Sequence, residues 1–458
     1  MSVSKRTTYL IQDPYDHDAL QFIRTIFTYF GIRPVCFYTN RKGRFYGERN
    51  FPVLASDRIE ASYDVDPADL RSFTAALEQR YRVLGVIPYR EDTVDLAAEL
   101  CELLELDWNP AETVRRFRDK HALKTHVTMT DPGVRVPVGR VVRRPFDVWA
   151  RPLPEHFVLK PNDGFGNRDI GIFRRDQRVE IERHLARNPR KAWTIEEYIS
   201  GVEYHINGQV RADGEVTLLG LLEYLREATN EYATVYSAER QCRTTHPEFA
   251  RICDYARRVM RATGIRRSPF HLELKVDDRG PCFIDLGARI PSEDGGHMLS
   301  RFHPNRPDVF AVAAHDYLGA VDFAREPVDW TDYNRALTVL VYGVSKSNGI
   351  IQSLSGVDEV DSMPEFVNWV IKPRVGDRLR VATDLRSAPY IVELRHGGSD
   401  EDSIALIDRV RATIRWNEST GPGEWLRAHG GAVLRRVPGK LQWIAHGLRT
   451  RVTRSDAS

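Results

Sequence analysis

The chain has 458 residues, 42% of them hydrophobic and 28% charged, and a formal net charge of +2. This is the balance of a globular protein of about three domains with an ample core, and it excludes a dedicated polyanion binder, so no nucleic-acid partner is expected. Five scattered cysteines (Cys36, Cys101, Cys242, Cys253, Cys282) without paired metal spacing fit a reducing cytoplasm. No apolar run approaches membrane-spanning length, and MSVSKRTTY lacks the apolar core of a signal peptide, so no membrane contact is expected.

Residues 7 to about 110 alternate strand and helix. TTYLIQD, PVCFYTN and VLGVIPY read as strands; DALQFIRTIFTYF and EDTVDLAAELCELLEL read as amphipathic helices. Asp66 and Pro67 are expected to open a further helix, as cap and first-turn residue. Such alternation predicts a parallel sheet with helices on its faces. Tyr89, Arg90 and Glu91 follow a strand, where open α/β sheets hold ligands. TVRRFRDKHALKTHVTM, residues 113–129, reads as one basic helical segment, which alone is most often a solvated face.

Phe157 to Phe173, FVLKPNDGFGNRDIGIF, is a strand ending in Lys160-Pro161, then Gly164 and Gly166, then a second strand-like run. Glycines let backbone amides approach an anion, and a lysine adds a point charge for phosphate. A strand follows instead of a helix, so this is not the helix-opening phosphate loop. IEEYISGVE, Ile195 to Glu203, adds an acidic connection. YHINGQV and VTLLGLLEYL read as strands, Arg226 to His246 as a long irregular loop, and Pro247 to Thr263 as a helix. A loop of that length is often functional, which makes Arg240 a substrate-contact candidate.

His271 to Arg289, HLELKVDDRGPCFIDLGAR, reads as a hairpin turning at Asp277–Gly280. Antiparallel pairing sets Glu273 beside Asp285, with Arg289 a short way along. Two adjacent carboxylates repel unless one is protonated or a cation sits between them, and hard oxygen ligands suit Mg²⁺. IPSEDGGHM then brings His297, and ALTVLVYG, VNWVIKP, RLRVATD and YIVELRH read as strands before a helix opened by Ser399 and Asp402.

In their order, the Lys160 strand with its glycine flap, the acidic hinge and the late acid pair followed by arginine resemble the ATP-grasp superfamily. The similarity is greatest to its carboxylate–amine ligases of the L-amino acid ligase (dipeptide synthetase) group. The resemblance implies an ATP-grasp fold of mixed α/β and α+β class: an N-terminal parallel-sheet α/β domain (1–112), a linker helix with a small flap lobe (113–198), and a larger C-terminal α+β lobe (199–415). A basic extension (416–458) lies beyond it. It also implies ATP held by Lys120, Lys160, Gly164 and Gly166, with Lys124 a weaker candidate. Adenine would lie on the main chain of Glu197 and Ile199 beside Glu196, and the ribose on Glu203.

One or two Mg²⁺ ions, with Mn²⁺ as an alternative, would sit on Glu273 and Asp285. Arg289 would be catalytic, and His297, Arg240 and Glu91 would contact substrate. The implied activity joins a small-molecule carboxylate to an amine through an acyl phosphate, in a cytoplasmic enzyme that could be a homodimer. Carboxylation, phosphotransfer or non-catalytic nucleotide binding are the alternatives. Where many family members carry asparagine this chain has Gly287, and its second acid is the shorter Asp285, which reduces the ligand set.

Overall fold

A computed structural model describes residues 5–14, 17–40, 44–45, 58–88, 94–164, 169–230, 233–291, 295–304, 309–318, 328–383 and 387–419. Glu91 and Gly166, and all of the basic extension past 419, lie outside them.

The N-terminal sheet is parallel, as its alternation predicts. Strands β1 (Arg6–Gln12), β2 (Val35–Tyr38), β3 (Ala61–Asp64) and β4 (Tyr81–Ile87) stand in the order β3-β2-β1-β4. The crossover helices are α1 (His17–Phe30) and α2 (Leu70–Glu78), followed by α3 (Val94–Leu103). Helix α2 starts later than expected, because Asp69 caps it by accepting from the Ser72 N–H. Asp66 instead accepts from Ala68 N–H in the preceding turn. Both acids can cap, and the one nearer the apolar stripe wins.

The expected single helix at 113–129 is two, α4 (Ala111–Arg118) and α5 (Lys120–Thr130). Asp119 leaves helical geometry (φ −108°, ψ 98°) and caps α5 through Ala122 N–H. The break turns Lys120 and Lys124 inward, where both are buried.

A second sheet holds β5 (Gly139–Val142), β6 (His156–Pro161), β7 (Gly171–Arg174) and β8 (Trp193–Glu197), all antiparallel, with α6 (Arg178–Ala186) against it. Its apolar side chains, including Phe157, Phe173, Ile181 and Trp193, form their own core.

The third sheet has eight strands in the order β13-β12-β9-β10-β11-β14-β18-β16. These are β9 (Val202–Val210), β10 (Val216–Asn230), β11 (Ala233–Gln241), β12 (Ser268–Asp277), β13 (Gly280–Gly287), β14 (Leu337–Tyr342), β16 (Phe366–Ile371) and β18 (Ile391–His396). The segment expected to be an irregular loop from Arg226 therefore holds the end of β10 and, from Ala233, the antiparallel strand β11. Its polar alternation reflects a sheet face turned toward a polar cleft, so it lacks the apolar rhythm of a half-buried strand. Helix α7 (Phe249–Thr263) packs on the back of this sheet and ends at Gly264, whose φ of +73° suits glycine.

Helices α8 (Gly295–Phe302), α9 (Val309–Leu318) and α10 (Trp330–Arg335) follow β13, then α11 (Val357–Asp361). Helix α12 (Asp400–Thr413) opens, as expected, on a Ser399–Asp402 capping box. RLRVATD contributes only the two-residue β17 (Arg378–Leu379), in a small sheet with β15 (Gly349–Ser355) and β19 (Arg415–Ser419). One continuous core unites the N-terminal sheet with the large one. Tyr9, Phe22, Ile23 and Ile87 pack with Leu222, Leu272, Phe283 and Phe310.

Candidate active site

Alternation along β9 sets the site. Tyr204, Ile206 and Val210 point into the core, while Glu203, His205, Asn207 and Gln209 line the other face, all of them buried. The register carries the polar face onto β12 and β13, where Glu273 pairs with both His205 and Asp285. Gly201 lets the β8–β9 connection pass close against β12, since a Cβ there would lie 2.3 Å from the Val276 carbonyl oxygen.

Between the second and third sheets lies a cleft of about 500 Å³. Lys120, Lys160, Gly164, Glu196, Glu197, Ile199, Glu203, Glu273 and Asp285 all line it, though they come from five stretches of the chain. Lys120 donates to Asp285 through its ammonium, and its backbone N–H donates to the Asn162 carbonyl at 3.2 Å. Lys124 and Lys160 both hold Glu196, at 2.6 and 2.9 Å, and Lys160 also donates to the Ile284 carbonyl at 3.3 Å. Glu196 is therefore the counter-ion of two buried lysines. Burial pushes Lys124 down to about 7, whereas Glu196 and Asp285 together outweigh burial at Lys160 and raise it.

Glu203 is gripped by Arg226, with Nε at 2.8 Å and Nη2 at 2.6 Å, in the fork geometry arginine offers a carboxylate. Arg226 lies over the Tyr236 ring at 4.2 Å, and Tyr236 stacks on Tyr224 at 4.1 Å. Lys275 donates to the Ile199 carbonyl at 3.3 Å and stands 3.6 Å from Glu203. The Glu197 N–H already donates to the Val138 carbonyl. Arg226 and Lys275 were not foreseen as site residues, yet both line the cleft. Period-2 spacing from Tyr224 to Arg226, both set against Tyr236, is the available signal, and the loop expected from Arg226 onward conceals it.

Other candidates lie elsewhere. Arg289, just past β13, donates to the Ile290 carbonyl at 3.1 Å and is not among the residues lining the cleft. His297 sits on α8 with its ring 5.1 Å from that of Phe310. Arg240 is bound to Glu223 (2.7 Å) and to the Asp400 carbonyl (3.4 Å), outside the cleft lining.

The donor set fits a divalent cation. Burial first, then Asp285 and Glu203, push Glu273 up to about 7, so a second positive charge there would relieve real repulsion. Asp285 is held low by Lys120 and Lys160 despite its burial. Among the described residues, the trio of potential ligand atoms within 4.8 Å of one another is Glu223, Cys242 and His246. Arg240 occupies Glu223, and burial pushes the Cys242 thiol well above its ordinary range, so that cluster is poorly suited to a metal.

Residues 153–292 match a family described as an ATP-grasp domain. Over 390 residues the chain is 23% identical to dapdiamide A synthase of Enterobacter agglomerans, spanning 81% of this chain and 86% of that protein. The L-amino acid ligase from Bacillus licheniformis superposes with a TM-score of 0.70 at 17% identity, covering 91% of this chain and 100% of that one. The biotin carboxylase domain of Hydrogenobacter thermophilus 2-oxoglutarate carboxylase, in complex with MgADP, ADP and bicarbonate, gives 0.62 at 14% identity over 90% of this chain and 91% of that one. These structural likenesses establish the fold. Among the described residues no helix is long and apolar enough to cross a membrane.

Proposed function

We propose that this chain, an ATP-grasp protein by its matched domain and its fold, is an ATP-dependent carboxylate–amine ligase. It would form an amide or peptide bond through an acyl phosphate, releasing ADP and phosphate. The observation that carries this reading is the convergence of Lys120, Lys160, Glu203, Glu273 and Asp285 on one cleft. Its relatives, dapdiamide A synthase and an L-amino acid ligase, favour amide bond formation over the carboxylase chemistry of other fold neighbours. The substrates in this reading are small-molecule acids and amines, amino acids or short peptides, in the cytoplasm where ATP is abundant.

The residues divide the work as follows. Lys120 and Lys160 bind phosphate oxygens, Lys120 turning to them from Asp285. Glu203, oriented by Arg226, accepts from the ribose hydroxyls. Because the Glu197 N–H is engaged, main-chain contact with adenine falls to its carbonyl and to Ile199. Glu273 and Asp285 would hold Mg²⁺, whose chemistry is to neutralise charge on the phosphates and orient them for in-line attack. Arg289, whose guanidinium donates to the Ile290 carbonyl outside the cleft lining, would have to swing into the cleft to act. There it would stabilise charge on the transferring group and then on the tetrahedral carbon's oxygen, a role suited to a planar, permanently charged fork. The second sheet excludes water that would hydrolyse the activated acid.

Release of ADP, assayed across a panel of carboxylates and amines, tests this reading: turnover that needs both partners is expected. Hydroxylamine should trap the activated acid as a hydroxamate. ADP release that ignores every acid and amine, with no hydroxamate formed, would remove the ligase assignment.

A further inference from the structure

The acid given to the ribose is already held on one side. Arg226 grips Glu203 with Nε on Oε2 at 2.8 Å and Nη2 on Oε1 at 2.6 Å. The guanidinium lies over the Tyr236 ring at 4.2 Å, and Tyr236 stacks on Tyr224 at 4.1 Å, so the fork is fixed in its plane.

A guanidinium fork fills the two parallel lone pairs of a carboxylate, one on each oxygen. A cis-diol binding through both hydroxyls would need that same pair. What Arg226 leaves is one lone pair on each oxygen, and these two diverge. Beside Oε1 stands the buried Tyr236 hydroxyl, at 3.5 Å. Beside Oε2 stands the Lys275 ammonium, at 3.6 Å. Glu203 and Lys275 line the cleft and Tyr236 does not, so a sugar arriving from the cleft meets Oε2 and Lys275. Glu203 can then accept from one ribose hydroxyl only.

Lys275 suits the second hydroxyl. It stands directly across from Glu203 in the β9–β12 ladder, and its ammonium lies over the Tyr198 ring at 4.9 Å. An ammonium has three donors and no acceptor. One donor goes to the Ile199 carbonyl at 3.3 Å. At 3.6 Å from Oε2 the ammonium is too far for a full hydrogen bond to Glu203. The neighbouring oxygens of a cis-diol lie about one hydrogen-bond length apart, which matches an acceptor and a donor set at that separation. One hydroxyl donates to Oε2 while its neighbour accepts from Nζ.

We propose that Lys275 is a sugar-binding, specificity-determining residue that donates to one ribose hydroxyl while Glu203 accepts from the other. Arg226 is the positioning residue that imposes this division. The inference rests on the ribose role given above to Glu203. It makes the site selective for ribonucleoside over deoxyribonucleoside triphosphates, because either missing hydroxyl leaves a charged group without its partner in a buried corner.

Calorimetric binding of ATP, 2′-deoxy-ATP and 3′-deoxy-ATP to the full chain, each with Mg²⁺, tests this. In the wild type each analogue should bind about 10-fold or more weakly than ATP, the usual worth of a hydrogen bond to a charged group. That arm needs no variant to fold. In Lys275→Met the gap between ATP and one analogue should close, while the gap to the other stays. Lys275→Gln, which keeps a donor, should restore part of the lost gap. A purely structural role would weaken all three ligands alike and leave both gaps in place. Both gaps unchanged in Lys275→Met, both gaps closing together, or a wild type that binds either analogue as tightly as ATP overturns the proposal and leaves the ligase reading intact. No ATP bound by the wild type overturns both.

Discussion

The ammonium of Lys120 rests on the carboxylate of Asp285, joining the start of α5 to β13 across 165 residues of sequence. One cation thus occupies a carboxylate that the ligase reading assigns to another. Lys120 is 6% exposed, so the contact forms out of bulk water, where it is worth more than a surface pair.

Removing that ammonium should separate metal binding from nucleotide binding. Lys120→Met is expected to bind Mn²⁺ alone more tightly than wild type, because Asp285 loses its internal competitor. The same variant should bind ATP more weakly by roughly 1.5–3 kcal/mol, the usual worth of a charged hydrogen bond. Titration of free Mn²⁺ by paramagnetic resonance and calorimetry with ATP check the two halves. Equal or weaker Mn²⁺ binding would show that Lys120 does not guard the site.

Glu196 is predicted to be structural first. It is the carboxylate shared by two buried lysines, and Glu196→Ala leaves both without it. Breaking a buried pair from one side typically costs about 3–5 kcal/mol. Denaturant unfolding should show a lower midpoint at unchanged slope. Glu196→Gln, which keeps hydrogen-bond acceptance by the side-chain oxygen, should recover part of the loss.

Arg289→Ala should lower turnover by about 10²–10³ with ATP affinity nearly unchanged, since its charge is needed only as the transferring group develops charge. Rates of ADP release beside calorimetric ATP binding separate the two effects. A matching fall in ATP affinity would assign Arg289 to nucleotide binding instead.

Asp316 on α9 gives a pH-dependent stability. Burial raises its proton affinity to about 6, against the opposing pull of Arg211, Gln209 and Arg267, with Asp213 adding a little to the rise. The folded chain therefore holds the proton more tightly than the unfolded one. The stabilisation is fully present below the unfolded value near 4 and is lost as pH rises through about 6. Asp316→Asn should match wild type near pH 4 and exceed it at pH 7.5 by up to about 3 kcal/mol. Thermal melts across that range supply the measurement, and a constant difference would contradict it.

Much of the site could be read because β-strands make spacing into geometry. Glu273 and Asp285 were expected to meet across a turn and do, in direct register. Lys160 and Glu203 were found by residue type and order, and both face the cleft. Arg226 escaped because its partner Glu203 is 23 residues away, and only the folded sheet brings the two together. The same holds for the Asn207–His271 contact, which spans 64 residues. Helix limits failed where two acids competed, as at Asp66 and Asp69, or where one acid could cap and so break a helix, as at Asp119.

The separation of the two apolar cores has a mechanical meaning. The small sheet carries its own packed interior, whereas the N-terminal and large sheets share one. What ties the small sheet to the rest near the cleft is polar: Lys124 to Glu196, Lys160 to the Ile284 carbonyl, and Arg118 to the Asp163 carbonyl. Water can take over each of these contacts as it parts. Among the described residues, parting the two sides of the cleft would break these polar contacts and leave both apolar cores packed, so the toll on each opening would be electrostatic and the fold itself would stay whole.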